Sequence, residues 1–291
     1  MTFGGIEAGG TKWVCAIGTG PADILETVTF PTTHPEETIA RAAKFFSANG
    51  SLAALGIGSF GPIDVRRTSP TWGRITTTPK PGWGDTDVVA VLGASLDVPI
   101  GVDTDVNAAA LGEHRWGAAR GLETFCYITV GTGIGGGGMA NGRLMHGLLH
   151  PELGHMRVPH DRALDPFDGV CPYHGDCLEG LASGEAIHRR WGAFADDGER
   201  ARAYELEADY LSLGLLNVIC TLSPERIILG GGVMKEQSLL PLIRARVRGL
   251  AAGYFEAPQL AEAIDDYVVA PELGDRAGVL GALELARLAL A

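Results

Sequence analysis

A chain of 291 residues, 46% hydrophobic and 20% charged, has room for two domains with sizeable cores. Its formal net charge of −12 excludes the basic footprint that a nucleic-acid or anionic-membrane partner requires. The opening MTFGGIEAGG has neither a basic nor an apolar leader region, and no run approaches ~18 apolar residues, so neither secretion nor a membrane span is expected.

Alternation and turn residues predict short strands over residues 3 to 8, 12 to 18 and 23 to 30, an antiparallel start. A helix follows through THPEETIARAAKFFSANG. Thr33 and Glu36 stand at capping-box spacing, Pro35 lies in the first turn and Asn49-Gly50 closes the segment. AALGIGSFG reads as a buried strand. Residues 66 to 85 lack any period and are rich in Pro, Gly and Thr, as a loop over a site would be. A helix near 86 to 96, a strand over 99 to 105 and the helix VNAAALGEHRWG complete a first lobe. The pattern then restarts. FCYITVGTGIGGGGMANGRL gives two strands with a glycine-rich turn, and residues 148 to 182 are irregular and polar. Helices near 183 to 195 and 199 to 222 follow, then the strand in ERIILGGGV, a helix near 237 to 251, a strand near 267 to 270 and a last helix near 276 to 290. Strand, glycine turn, strand, helix therefore occurs twice, which predicts two similar α/β lobes divided near residues 117 to 120, with a cleft between them.

Three glycine clusters punctuate this order. Gly9, Gly10, Thr11 and Lys12 form a turn between strands, where small residues expose backbone amides beside a hydroxyl and an ammonium, the elements of a phosphate cradle. The Walker pattern GxxxxGK[ST] is absent, and a plain hairpin is the competing reading. Gly131, Thr132 and Gly133 repeat the device, and Gly230, Gly231 and Gly232 end a strand. Asp105, in GVDTDVNAAAL, sits at a strand-to-helix junction, where a carboxylate either caps the helix or, at the end of a strand, serves catalysis; Asp103 shares the first of these readings.

The segment CPYHGDCLEG places Cys171, His174 and Cys177 at even steps, with Glu179 beside them. The odd cysteine count without a leader suits a reducing cytosol, which favours a metal site over a Cys171–Cys177 disulfide and predicts a cytoplasmic protein. Three soft or borderline ligands need a fourth to close a tetrahedron. Cys15, Cys126 and Cys220 lie in apolar runs and read as core thiols.

Taken together, EAGGTK, DTDVNAAALGE, VGTGIGGG, HPELGH, CPYHGDCLEG and IILGGGV resemble, in order and over nearly the whole chain, the ROK family of bacterial sugar kinases, and most closely its zinc-containing fructokinases. The resemblance implies a two-lobed actin-like ATPase (ribonuclease H-like) α/β fold: residues 1–117 as the N-terminal lobe with a helix at about 276–291 packing back on it, and 118–275 as the C-terminal lobe carrying the zinc loop. It implies phosphorylation of fructose by ATP with Mg²⁺, Asp105 as the base, and nucleotide contacts from the three glycine clusters. Thr104, Glu152, His155 and Glu179 become sugar contacts, and His155, Cys171, His174 and Cys177 the ligands of a structural Zn²⁺, with His150, His160 and Asp176 as reserves. Glu7, where relatives carry Asp, would orient Mg²⁺ through water. Thr104 replaces an Asn, which bears on hexose choice, and Glu185 replaces a Pro beside the adenine. A homodimer is implied. The alternatives are another hexose kinase of the family, acting on mannose, glucose or an N-acetylhexosamine, and, more distantly, a sugar-responsive regulator.

Overall fold

The fold is described by a computed structural model covering residues 1–290. The chain forms two compact α/β units. The first comprises residues up to Gly121, Leu144–His150 and the chain from Glu272 onward; the second comprises Leu122–Arg143 and Pro151–Pro271.

In the first unit, strands β1 (Phe3–Ala8), β2 (Lys12–Gly20), β3 (Asp23–Pro31), β4 (Ala54–Ser59) and β5 (Ile100–Thr104) form one sheet in the order β3-β2-β1-β4-β5. β1 pairs antiparallel with β2 and parallel with β4, and β4 parallel with β5. The period of two in β1 decides its partners. Ile6 enters the core with Trp13, Cys15, Leu55 and Ile57, against Ile39, Ala42 and Phe46 of helix α1 (Pro35–Ala48) and Val88 and Leu92 of α2 (Val88–Leu96). On the opposite face Phe3 packs with Leu280, Leu283 and Ala286, which belong to the last helix, Ala277–Leu288. That helix also crosses α3 (Asp105–Trp116), and the crossing requires glycine: a Cβ on Gly281 would lie 1.6 Å from the Ala108 carbonyl oxygen. The expected end of this helix at residue 291 lies outside the described residues.

The capping box does not form as the spacing predicts. With Pro35 at the first helical position, His34 becomes the N-cap without a side-chain bond. Thr33 donates its hydroxyl to Glu37 instead (2.7 Å), and its own amide donates to Thr38 Oγ1 (3.0 Å). The loop between β4 and α2 is irregular, as its composition predicts, yet it is organised around Asp64. This buried carboxylate accepts from Arg66 (Nε, 2.9 Å), Ser69 (Oγ, 2.5 Å) and Thr71 (Oγ1, 2.7 Å), which holds it far below the usual carboxylate range.

The second unit contains β6 (Phe125–Val130), β7 (Ile134–Ala140), β8 (Arg143–Leu144, at its border), β9 (Arg226–Gly230) and β10 (Val268–Val269), ordered β10-β9-β6-β7-β8. Read from the other edge this is the strand order of the first sheet, with the same antiparallel hairpin and parallel neighbour at its centre. Helices α4 (Leu178–Ala182), α5 (Gly184–Trp191), α6 (Asp197–Leu222), α7 (Leu239–Ala251), α8 (Pro258–Ala261) and α9 (Ile264–Tyr267) belong to this unit, and α10 is the last helix of the first. α6 and α7 pack together, with Ser212 donating to the Ile243 carbonyl (3.3 Å).

Two differences from the sequence reading concern boundaries. A short turn at Leu153–His155 and α4 lie inside the segment expected to be irregular, because Ser183 caps a separate helix rather than the first one. Residues 118–121 and 144–150, expected with the second lobe, pack with the first unit. His146 is held there by Asp103 (2.8 Å), His150 accepts from the Ile63 amide (3.3 Å), and Leu144 packs on Ala108 and Leu285.

Candidate active site and metal centre

In the first unit β1 delivers Glu7 to the same face as Phe3, against the start of α10. There the Val279 amide bonds its carboxylate, and a Cβ on Gly278 would lie 2.7 Å from Glu7 Oε2. Oε2 itself is buried without a hydrogen-bond partner. Burial raises the Glu7 carboxyl to about 7 from an ordinary 4.5; the charge of Asp105 adds to the rise and Lys12 opposes it. Glu7, Lys12 and Asp105 therefore share one electrostatic neighbourhood. The adjoining turn is closed by Gly9 N–H donating to the Lys12 carbonyl (3.0 Å) and by Thr32 Oγ1 donating to the Gly9 carbonyl (2.6 Å). Thr11 and Lys12 are exposed, and nothing lies within 4 Å of a Cβ built on Gly10.

Asp105 opens α3 at the end of β5. One carboxylate oxygen accepts the Val106 amide (2.9 Å). Burial raises its pKa, and the Val106 amide and the charge of His150 oppose the rise. Asp103 is committed elsewhere: Oδ1 accepts from the Thr104 amide and Asn107 Nδ2 (each 2.8 Å), and Oδ2 pairs with His146 Nε2 (2.8 Å). That contact raises the pKa of His146. A carboxylate with both oxygens occupied is a poor proton acceptor, which leaves Asp105 as the better candidate base. Thr104 is the N-cap of α3, its Oγ1 accepting the Asn107 amide (3.1 Å), and its hydroxyl hydrogen is left to donate elsewhere.

In the second unit the Gly131–Gly133 turn is closed by Gly131 N–H donating to the Gly133 carbonyl (2.9 Å). It is buttressed by Gly184 N–H on the Gly131 carbonyl (2.7 Å) and by Glu179 Oε2, which accepts the Ile134 amide (2.9 Å). Thr132 is exposed at its tip. The third cluster differs in kind. Gly231 has φ +97°, where L side chains are strained, and a Cβ on Gly230 would lie 2.4 Å from Tyr127 Oη; Gly232 is open. Glu185 lies in the first turn of α5, the favourable end of the helix dipole, and accepts from Arg189 Nε (2.6 Å).

His155, Cys171, His174 and Cys177 converge, with one ligand atom from each lying within 4.8 Å of every other. The Nδ1 atoms of His155 and His174 are 3.3 Å apart; Cys171 Sγ is 3.6 Å from each, and Cys177 Sγ is 3.6 Å from His155 Nδ1. A tetrahedral Zn²⁺ with ordinary Zn–N and Zn–S bonds requires edges of about 3.4 Å between nitrogens and about 3.6 Å between nitrogen and sulfur. The four separations match the edges that such a tetrahedron would have. Burial pushes the Cys177 thiol up to about 11. Cys171 and Cys177 are free thiols, so no disulfide joins them. His155 turns its other nitrogen, Nε2, toward Glu152 Oε2 at 4.0 Å.

The three reserve ligands stand outside this cluster. His160 is bonded to Asp176 (3.3 Å) and to the Asp165 carbonyl (2.9 Å), and Asp176 is paired with Arg157 and Arg162. Sequence reasoning missed His146 and Asn107 as partners of Asp103, and His150 as a neighbour of Asp105. The return of residues 144–150 to the first unit creates the two histidine contacts, and no local pattern announces it; the Asn107 contact is local, four residues from Asp103.

A model of the ROK family matches residues 3–289. The fructokinase of Zymomonas mobilis subsp. mobilis (strain ATCC 31821 / ZM4 / CP4) is 45% identical, across 98% of this chain and 96% of its own. The fructokinase of Pediococcus pentosaceus is 42% identical across 100% and 99%. A Streptomyces griseus ROK family glucokinase, solved with glucose and AMPPNP, superimposes with TM-score 0.80 at 28% identity, covering 99% of this chain and 100% of that one.

Proposed function

The chain belongs to the ROK family of two-lobed actin-like kinases, and from that premise we propose that it transfers the γ-phosphoryl group of ATP to fructose, giving fructose 6-phosphate. The observation that carries this reading is the near-full-length similarity to fructokinases, combined with a carboxylate at Asp105 that remains available beside a fully bonded Asp103. Asp105 accepts the proton of the attacking hydroxyl, and its raised pKa brings it closer to the pH at which it works. Thr104, Glu152, His155 and Glu179 hold sugar hydroxyls. The exposed turns at Gly9–Lys12 and Gly131–Gly133 receive phosphates, and Gly230–Gly232 the adenosine.

The unpartnered Glu7 oxygen, in a neighbourhood where Asp105 raises its pKa, fits a residue that orients a cation. Mg²⁺ there would draw charge from the phosphates. The Cys₂His₂ tetrahedron has the composition and edge lengths of a structural Zn²⁺ site with no ligand position left over. Through His155 it would also fix the ring whose Nε2 faces Glu152.

Asp105→Asn tests the base. Turnover falls by about 10²–10⁴, while calorimetric affinities for ADP and fructose stay within a few-fold. Near-normal turnover removes Asp105 from this role.

A further inference from the structure

The Gly131–Gly133 turn is held by a carboxylate two residues beyond a metal-ligand cysteine. Glu179 Oε2 accepts the Ile134 amide at 2.9 Å, immediately after the turn, and a Cβ on Gly133 would come within 2.6 Å of the same oxygen. A side chain at 133 would therefore push Glu179 out of this contact. The backbone carries the same linkage: Ser183 N–H donates to the Glu179 carbonyl (3.1 Å), and the next residue, Gly184, donates to the Gly131 carbonyl (2.7 Å). Glu185 N–H reaches the Thr132 carbonyl at 3.4 Å. The turn thus rests on α4 and α5 at three positions, the carbonyls of Gly131 and Thr132 and the amide of Ile134, and Glu179 supplies the one side chain among these contacts.

We propose that Glu179 is a positioning residue for the nucleotide. One carboxylate oxygen fixes the amide that follows the phosphate turn while the other addresses the sugar, so sugar and phosphoryl donor are registered against each other by a single group. This rests on the reading above, in which the turn receives phosphate. An acceptor on a half-buried charged group restrains the turn where an unsatisfied amide would not. The turn's competent population, and with it the apparent affinity for nucleotide, then depends on Glu179 even without sugar present. A residue that only touches sugar has no such effect.

The experiment compares Glu179→Gln with Glu179→Ala in zinc-saturated buffer. Both remove the charge and only Ala removes the acceptor, so repulsion between carboxylate and phosphate cancels in the comparison. ADP affinity is measured by calorimetry without fructose, fructose affinity separately, and amide signals of residues 131–134 by NMR. The proposal expects ADP to bind Glu179→Ala about tenfold more weakly than Glu179→Gln. It also expects the Ile134 amide to exchange rapidly with solvent only in the Ala variant, while both variants lose fructose affinity. Equal ADP affinities with unchanged Ile134 exchange overturn it and leave Glu179 a sugar contact alone. If ADP leaves the Thr132, Gly133 and Ile134 signals of the wild-type protein unmoved, the phosphate reading of the turn fails, and the proposal with it.

Discussion

Glu7→Gln separates the cost of burying a carboxylate from its use. The carboxyl is raised from 4.5 to about 7, chiefly by burial. A carboxylate whose folded pKa is raised keeps its proton longer in the native state than in the unfolded one. The native state then binds more protons between the two values, and stability falls as pH rises through that window. For a shift of this size the loss between pH 5 and pH 8 is about 2.5 kcal/mol, or about 2 kcal/mol after allowing for the part of Glu7 that solvent screens. Gln does not ionise and so does not incur this loss. Its amide nitrogen would stand where Oε2 now lacks a partner, a fixed cost at every pH that drops out when the two pH values are compared. Denaturant titration of both proteins without nucleotide or divalent cation should show Glu7→Gln gaining on wild type by about 2 kcal/mol from pH 5 to pH 8. A gap independent of pH, or one that moves the other way, refutes the assignment of a raised Glu7 carboxyl.

Other expectations follow from the same geometry. A side chain at Gly10 meets nothing in the protein, so Gly10→Val should leave the thermal midpoint within a degree or two while weakening ADP binding by calorimetry about tenfold or more; unchanged affinity would make that turn a hairpin only. Metal analysis of purified protein should give one zinc per chain, and Cys177→Ser should lose it together with fructose affinity; metal-free protein that binds fructose normally would contradict a structural zinc. His146→Ala removes the partner of Asp103 Oδ2 and should lower stability by about 1–3 kcal/mol, with the loss greatest below the raised His146 pKa, where the ring is charged. A loss independent of pH would mean that the pair contributes no charge.

The legible part of the molecule was whatever its local pattern determined. β1 alternates core and helix-facing residues within FGGIEA, and the glycine turns announce themselves by composition. The four candidate metal ligands were legible as residue types, and their Nδ1 and Sγ geometry only as structure. One failure is local and the others are not. Thr33 was displaced from its expected cap because Pro35 set the helix start at His34. The role of Glu179 at Ile134 spans 45 residues, and that of His146 at Asp103 spans 43. Such contacts are fixed by how strands and returning segments meet, which no period in the chain encodes. Gly133 shows the same limit. Its type was noticed, but the carboxylate oxygen that a side chain there would displace belongs to another element.

The central claim is fructose phosphorylation by ATP, and an ADP-release assay coupled across a panel of fructose, mannose, glucose and N-acetylhexosamines tests it most directly. The account predicts that fructose gives the highest kcat/KM, that its product is fructose 6-phosphate, and that release falls by about 10²–10⁴ in Asp105→Asn. No fructose-dependent ADP release from zinc-loaded protein with Mg²⁺, or a clear preference for another sugar of the panel, would contradict it.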